Sequence, residues 1–313
     1  MIKHLKHSEI DKNKWDECIQ RADNGLIYAY SWYLDLVCNS WDALVEDDYK
    51  SVFPLTFNKK FNIHYLYQPF FAQQLGVFSQ KILTTEKVEN FIKLIPSNFR
   101  LIEINLNTKN KITNPAIPLK ASLTHELPLN VSYDILKNEY SSNIKRNIKK
   151  AIAAGVEIRN NQSINPIIEI FKNNKGKSIS TFSDKEYLIL EKLIDTCISK
   201  GLATVLGAYE NNKLCAGASF IESNNKVIFL FSATNKQAFE NGAMSLLIDT
   251  FIREHAQSNL SLDFEGSNNP DLARFYKSFG AKEKKYFQYY KNTLQQPLCL
   301  GFAFYKKAKS YFK

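Results

Sequence analysis

Three side chains able to move protons stand close together near the C-terminal end of the chain. They are Glu265, Asn269 and Tyr276, within the run from Leu260 to Gly280, Leu-Ser-Leu-Asp-Phe-Glu-Gly-Ser-Asn-Asn-Pro-Asp-Leu-Ala-Arg-Phe-Tyr-Lys-Ser-Phe-Gly. Acyl transfer from an ester or thioester expels an anion that needs a proton, and a phenolic hydroxyl can supply one. A carboxylate whose pKa burial has raised can take the proton of an attacking amine. The same residues have a plainer reading: Phe275, Tyr276 and Phe279 as the core face of a short helix, Glu265 as a cap on the turn at 267–269.

The elements around them are legible. Leu260, Leu262 and Phe264 alternate with Ser261, Asp263 and Glu265, the period of a half-buried strand that sets Asp263 and Glu265 on one face. Asn269-Pro270-Asp271 supplies a helix cap, a proline at the first helical position and an acid in the first turn. Gly280 ends that helix, and a second strand follows.

Upstream, the spacing predicts a basic helix over 140–154 with Ile144, Ile148 and Ile152 inward and Gly155 as its stop. A strand at 156–159, helices over 167–173 and 184–200, and three strands at 203–209, 214–222 and 227–234 come next. Asn211-Asn212 and Asn224-Asn225 are their hairpin turns. A long amphipathic helix over 239–256 leads into the opening segment. The first half repeats this order in blurred form: a strand at 2–5, helices over 8–22 and 31–37, strands at 41–46, 51–57 and 62–67, a helix over 86–95, strands at 99–106 and 122–129.

Asn269, Ala273 and Tyr276 match the late strand–helix–strand pattern of GNAT-type N-acyltransferases, which the segment resembles. Two such domains in tandem, the second opening with Arg146-x-x-Lys149-Lys150-Ala151…Gly155, resemble the Fem-type aminoacyltransferases. Asp263-Phe264-x-Gly266 followed by Phe275-Tyr276-Lys277-x-Phe279-Gly280 is similar to a second motif of that family. The resemblance implies an α+β chain of two GNAT-like domains, each a mostly antiparallel mixed sheet flanked by helices. They would be a degenerate one at 1–135 and a second at 136–313. It also implies transfer of an acyl or aminoacyl group to a small or peptide amine, with Tyr276 as acid and Asn269 and Glu265 beside it. The long inserted helical arm of some tRNA-using members is missing.

In acyl-CoA users of the fold, a glycine-rich turn into the long helix holds the pyrophosphate on backbone N–H groups. The corresponding run is Phe239-Glu240-Asn241-Gly242-Ala243-Met244, a degenerate cradle in which Asn241, Gly242 and Ala243 are the candidate phosphate contacts. Acetyl-CoA or another acyl-CoA is thus one expected donor, and a carrier-protein thioester or an aminoacyl-tRNA the other. The degeneracy also leaves open a binding or regulatory protein on a decayed scaffold.

Charge points the same way. The net charge is +10. Residues 1–136 hold 15 basic and 15 acidic side chains and 137–313 hold 26 and 16, so the excess lies wholly in the second half. Arg146, Lys149 and Lys150, at helical steps, are candidates for a polyanionic donor or a solvated basic face. No aromatic residues interleave with them, which argues against sequence-reading nucleic-acid binding. The five cysteines are scattered without a Cys-x-x-Cys pair, and the five histidines lack metal spacing. Charges interrupt Met1-Ile-Lys-His-Leu-Lys-His, and no run reaches 18 apolar residues, so a cytoplasmic protein without a transmembrane segment or metal is expected.

Overall fold

Paired asparagines make the tight turns of this chain. Asn211 and Asn212 have φ of 50° and 59°, and Asn224 and Asn225 have φ of 52° and 56°, the left-handed pairs that match a two-residue hairpin to strand twist. The computed structural model describes residues 1–161, 163–178, 182–266 and 268–295.

The chain divides into two compact units. The first is Met1–Leu123 with the returning segment from Lys284 on; the second is Thr124–Glu283. The first holds β1 (Ile2–Leu5), α1 (Lys12–Arg21), α2 (Ser31–Val37), β2 (Ser40–Glu46), β3 (Ser51–Lys60), β4 (Ile63–Leu66), β5 (Phe78–Ser79), α3 (Thr85–Lys93), β6 (Phe99–Asn105) and the start of β7 (Leu119–Pro128). The rest of β7 opens the second unit. There follow α4 (Tyr133–Asn138), α5 (Ser142–Ala153), β8 (Glu157–Asn160), α6 (Asn165–Asn173), α7 (Asp184–Ser199), β9 (Ala203–Glu210), β10 (Lys213–Ser223) and β11 (Lys226–Thr234). Then come α8 (Lys236–Asn241), α9 (Ala243–His255), β12 (Ser261–Gly266), α10 (Pro270–Lys277) and the start of β13 (Lys282–Asn292).

In the first unit the strand order is β1-β2-β3-β4-β6-β13, with β5 beside β3. Among the described strands there β4 and β6 pair in parallel, and Leu75 and Leu106 add an isolated parallel bridge beyond β6. In the second unit the order is β7-β12-β11-β10-β9-β8, again with one parallel pair, β11 and β12. The division differs from consecutive blocks at 135/136. Gln288–Asn292 of β13 pair antiparallel with Leu101–Asn105 of β6, so the last strand belongs to the first unit. No local pattern announces a partner more than 180 residues away.

Helix ends follow the side chains that cap them. Asp11 accepts from the amides of Asn13 and Lys14 at the start of α1, and Ser141 accepts from Ile144 at the start of α5. On α5 the buried residues are Ile144, Ile148 and Ala151. Ile152, expected inside, is 62% exposed, because the 3.6-residue period brings Ala151 rather than Ile152 back to the core after Ile148. The expected long helix over 239–256 is broken in two at Gly242. That glycine has φ +81°, and a Cβ on it would lie 2.5 Å from the carbonyl oxygen of Asn147. A left-handed residue pressed against the α5 backbone admits no side chain. Beyond it α9 buries Leu247, Ile248, Phe251 and Ile252, and Phe251 stacks flat on Phe220 with ring centroids 3.8 Å apart. Each such fully buried side chain contributes about 1.5–3 kcal/mol of hydrophobic free energy.

Candidate functional site

The second unit has a fork in its sheet. β11 and β12 pair in parallel only over Lys226–Ile228 and Ser261–Asp263. β11 then continues to Thr234 against β10, while β12 runs into an irregularity between Asp263 and Gly266 in its register with β7. Glu265 sits in that irregularity with φ +60°, a left-handed conformation that costs a non-glycine residue about 1–3 kcal/mol. The bulge also breaks the alternation expected of this strand. Leu262, Asp263 and Phe264 are all buried, so β12 is enclosed on both faces rather than half-buried.

Tyr276 reaches the fork from α10. Asn269 caps this helix, its Oδ1 accepting from the amides of Asp271 (2.9 Å) and Leu272 (3.4 Å), with Pro270 in the first turn. The Tyr276 ring stacks on Phe264 at 4.9 Å and 17° and meets Phe229 and His125 at 6.3 and 6.1 Å. Only 8% of the residue is exposed. Burial pushes its phenol well above the usual range, and the Glu265 carboxylate pushes it further. The hydroxyl is therefore a neutral proton donor. Tyr276 stacks on Phe264, the chain neighbour of Glu265; Asn269 is exposed, at the head of the helix that presents the tyrosine.

Two groups escaped the sequence reading. His125 on β7 is fully buried, and neither ring nitrogen has a hydrogen-bond partner. Its Nε2 lies 3.9 Å from Glu283 Oε1, an oxygen that Lys277 Nζ holds at 2.5 Å. Burial lowers the His125 pKa, with Lys277 adding to this and Glu283 opposing it, so the imidazole is neutral. The second group is a charge cluster around the buried Asp263, with Lys226 and Glu126 half-buried. Lys226 Nζ lies 2.7 Å from Glu126 Oε1 and 3.4 Å from Asp263 Oδ2. Burial pulls the Lys226 ammonium down, but the two carboxylates outweigh it and its pKa ends raised. Asp263 is raised as well: burial outweighs the pull of Lys226. Residues 124–126 carry no motif, and Asp263 reads as one of the polar positions of an alternating strand.

At the start of α9, Asn241 is buried, and its Oδ1 accepts from the Ala243 amide at 2.9 Å. Its Nδ2 donates to Glu210 Oε2 at 3.1 Å, and Gln237 donates to the same carboxylate oxygen. Arg146, Lys149 and Lys150 are exposed on α5. Arg146 donates to Asn143 at 2.6 Å, and Lys149 and Lys150 form no ion pair among the described residues. Among the described residues no group of three or more His, Cys, Asp or Glu is placed to hold a metal ion, and no helix is long and apolar enough to cross a membrane.

No protein-family model matches the chain, and no curated protein is significantly similar to it in sequence. Solved structures do match. The chain is similar to FemX at 14% identity over 95% of this chain and 98% of that one, with a TM-score of 0.64. It is similar to a conserved protein of unknown function from Bacteroides thetaiotaomicron at 11% identity over 93% and 100%, TM-score 0.61. It is also similar to L-PGS from Bacillus licheniformis at 10% identity over 97% and 98%, TM-score 0.53. The α+β fold expected from the sequence, with mostly antiparallel mixed sheets flanked by helices, is thus a fold this chain shares with these solved structures.

Proposed function

We propose that the protein is an acyltransferase that moves an acyl or aminoacyl group from an ester donor to an amine. The observation that carries this is a buried Tyr276 stacked on Phe264 of β12, the residue next to Glu265, with burial and the Glu265 charge both raising its phenol. The amine attacks the acyl carbon and a C–N bond forms. Glu265 takes the amine's proton, the C–O bond breaks, and Tyr276 protonates the departing oxygen. Return of the proton from Glu265 to Tyr276 resets both groups. Positioning of donor and amine supplies much of the rate, so few polar side chains are required.

The choice of an oxygen ester over a CoA or carrier-protein thioester has two supports. A phenol raised above its usual range suits an alkoxide, which must be protonated to leave, better than a thiolate, stable as an anion near neutral pH. The start of α9 also fits a pyrophosphate poorly: the Asn241 carboxamide already caps Ala243, and the Glu210 carboxylate stands behind it. An aminoacyl-tRNA, with the exposed Arg146, Lys149 and Lys150 meeting its phosphates, is the donor this reading favours. The same filled cradle favours one rival, a binding protein without activity. Tyr276→Phe separates them. It keeps the ring on Phe264 and removes only the hydroxyl, so it should lower transfer by about 10²–10⁴ with the fold intact. Unchanged turnover would return Tyr276 to the core, and absence of turnover from any ester or thioester in the unmodified protein would favour the binding protein.

A further inference from the structure

A glutamate at φ +60° persists only if its surroundings hold it there. What holds Glu265 is the carboxylate two residues before it. Asp263 Oδ1 accepts from the Glu265 amide at 2.9 Å and from Thr124 Oγ1 at 2.5 Å, which fixes the carboxylate plane. Asp263 Oδ2 faces Lys226 Nζ at 3.4 Å, and Lys226 is in turn tied to Glu126 at 2.7 Å. These four residues come from β7, β11 and β12, and they sit where the parallel pairing of β11 and β12 ends. Asp263 is 1% exposed. Successive residues of a strand point to opposite faces, and the next one, Phe264, stacks on Tyr276. Asp263 therefore points away from the phenol and reaches it only through the backbone it holds.

We propose that Asp263 is a positioning residue. With Thr124, Lys226 and Glu126 it forms a clamp that locks the end of β12 in the left-handed bulge at Glu265, next to the Phe264 that stacks on Tyr276. The cluster is then the device that opens the fork rather than an incidental buried ion pair. This rests on the acyltransfer reading for its catalytic consequence, but not for its structural one.

Asp263→Asn keeps an oxygen acceptor for the Glu265 amide, and Asp263→Ala removes it. Hydrogen exchange at the Glu265 amide should stay slow in the Asn variant and rise at least about tenfold in the Ala variant, the scale of one lost buried hydrogen bond. In a transfer assay with an ester donor, the Ala variant should lose about 10²-fold in kcat with KM little changed, and the Asn variant should recover most of it. In a Glu265→Gln background the Ala change should cost no further kcat. Equal exchange in the Ala and Asn variants, or an equal kcat loss in both backgrounds, would overturn the proposal. If the unmodified protein transfers nothing, the acyltransfer reading fails, yet the exchange data still decide whether the clamp holds the bulge. If Asp263→Ala does not fold, Thr124→Val, which frees the carboxylate plane, should give a smaller rise in exchange; no rise would overturn the clamp.

Discussion

Each unit contains one parallel strand pair, and the two pairs have very different polar surroundings. In the first unit, the chain leaving β6 is tied to the segment entering β5 by an amide network. Asn24, Asn107 and Asn110 all donate to the Val77 carbonyl, and Asn110 Oδ1 accepts from the Val77 amide at 2.7 Å. Asn107 Oδ1 accepts from Asn24, Asn110 and the Lys109 amide. All these groups are neutral and paired. In the second unit, the fork at β11 and β12 carries a left-handed glutamate, a buried imidazole without partners and two carboxylates around one ammonium. Satisfied amides specify a shape. Strain, an orphaned imidazole and a carboxylate raised by burial mark the place where a structure is maintained for something other than stability.

The contrast can be broken experimentally, beginning with the largest effect. Lys226→Met leaves the buried Asp263 and the half-buried Glu126 without their cation. It should cost about 2–4 kcal/mol in denaturant unfolding, mainly from the buried Asp263, and lower transfer as well. A loss below about 1 kcal/mol would mean the cluster is solvated like a surface pair. Asn107→Ala, in the first unit, should cost about 1–3 kcal/mol by removing a buried carboxamide and the acceptor of the Lys109 amide, with transfer unchanged in the folded protein. A change in its rate would show that the amide network serves the chemistry after all.

His125 gives a pH signature. Its folded pKa is lowered by burial from an ordinary 6.5, so below that value the unfolded chain binds a proton that the folded chain refuses. Stability is then lost as the pH falls below about 6.5 toward the folded pKa. Unfolding midpoints of His125→Leu measured from pH 7.5 to 5 should lack that component and lie above those of the unmodified protein at the acid end. Identical slopes would mean that His125 is not held neutral. The smallest effect on stability belongs to α5. Arg146, Lys149 and Lys150 changed together to Gln should barely move the melting temperature, since exposed charges contribute about 0–1 kcal/mol. The change should weaken tRNA binding and flatten its salt dependence; unchanged affinity at low salt would leave a merely solvated basic face.

Local chemistry was readable in the sequence. The asparagine hairpins, the Asn269–Pro270 helix start and the order of elements in the second half all follow from residues within a few positions of one another. Features that rest on distant partners were not. Nothing near Gly242 reveals that the Asn147 carbonyl lies against it, so the helix reads as unbroken. Nothing near Tyr286 or Tyr289 says that β13 crosses to the first unit. Alternation placed Asp263 and Glu265 on one face, but the bulge turns the second away, and the bulge is fixed by Thr124, Lys226 and Glu126 from other strands. His125 is invisible for the same reason: its neighbours are Tyr276, Lys277 and Glu283.

The central claim is that Tyr276 protonates a poor leaving group, and leaving-group dependence tests it most directly. Transfer by the unmodified protein and by Tyr276→Phe is measured with oxygen-ester donors of one acyl group, from alkyl esters to acidic aryl esters. The account predicts a loss of about 10²–10⁴ for alkyl esters, shrinking toward none as the leaving group becomes acidic enough to depart as an anion. An equal loss across the whole series would contradict it and leave Tyr276 as a wall of the site rather than its acid.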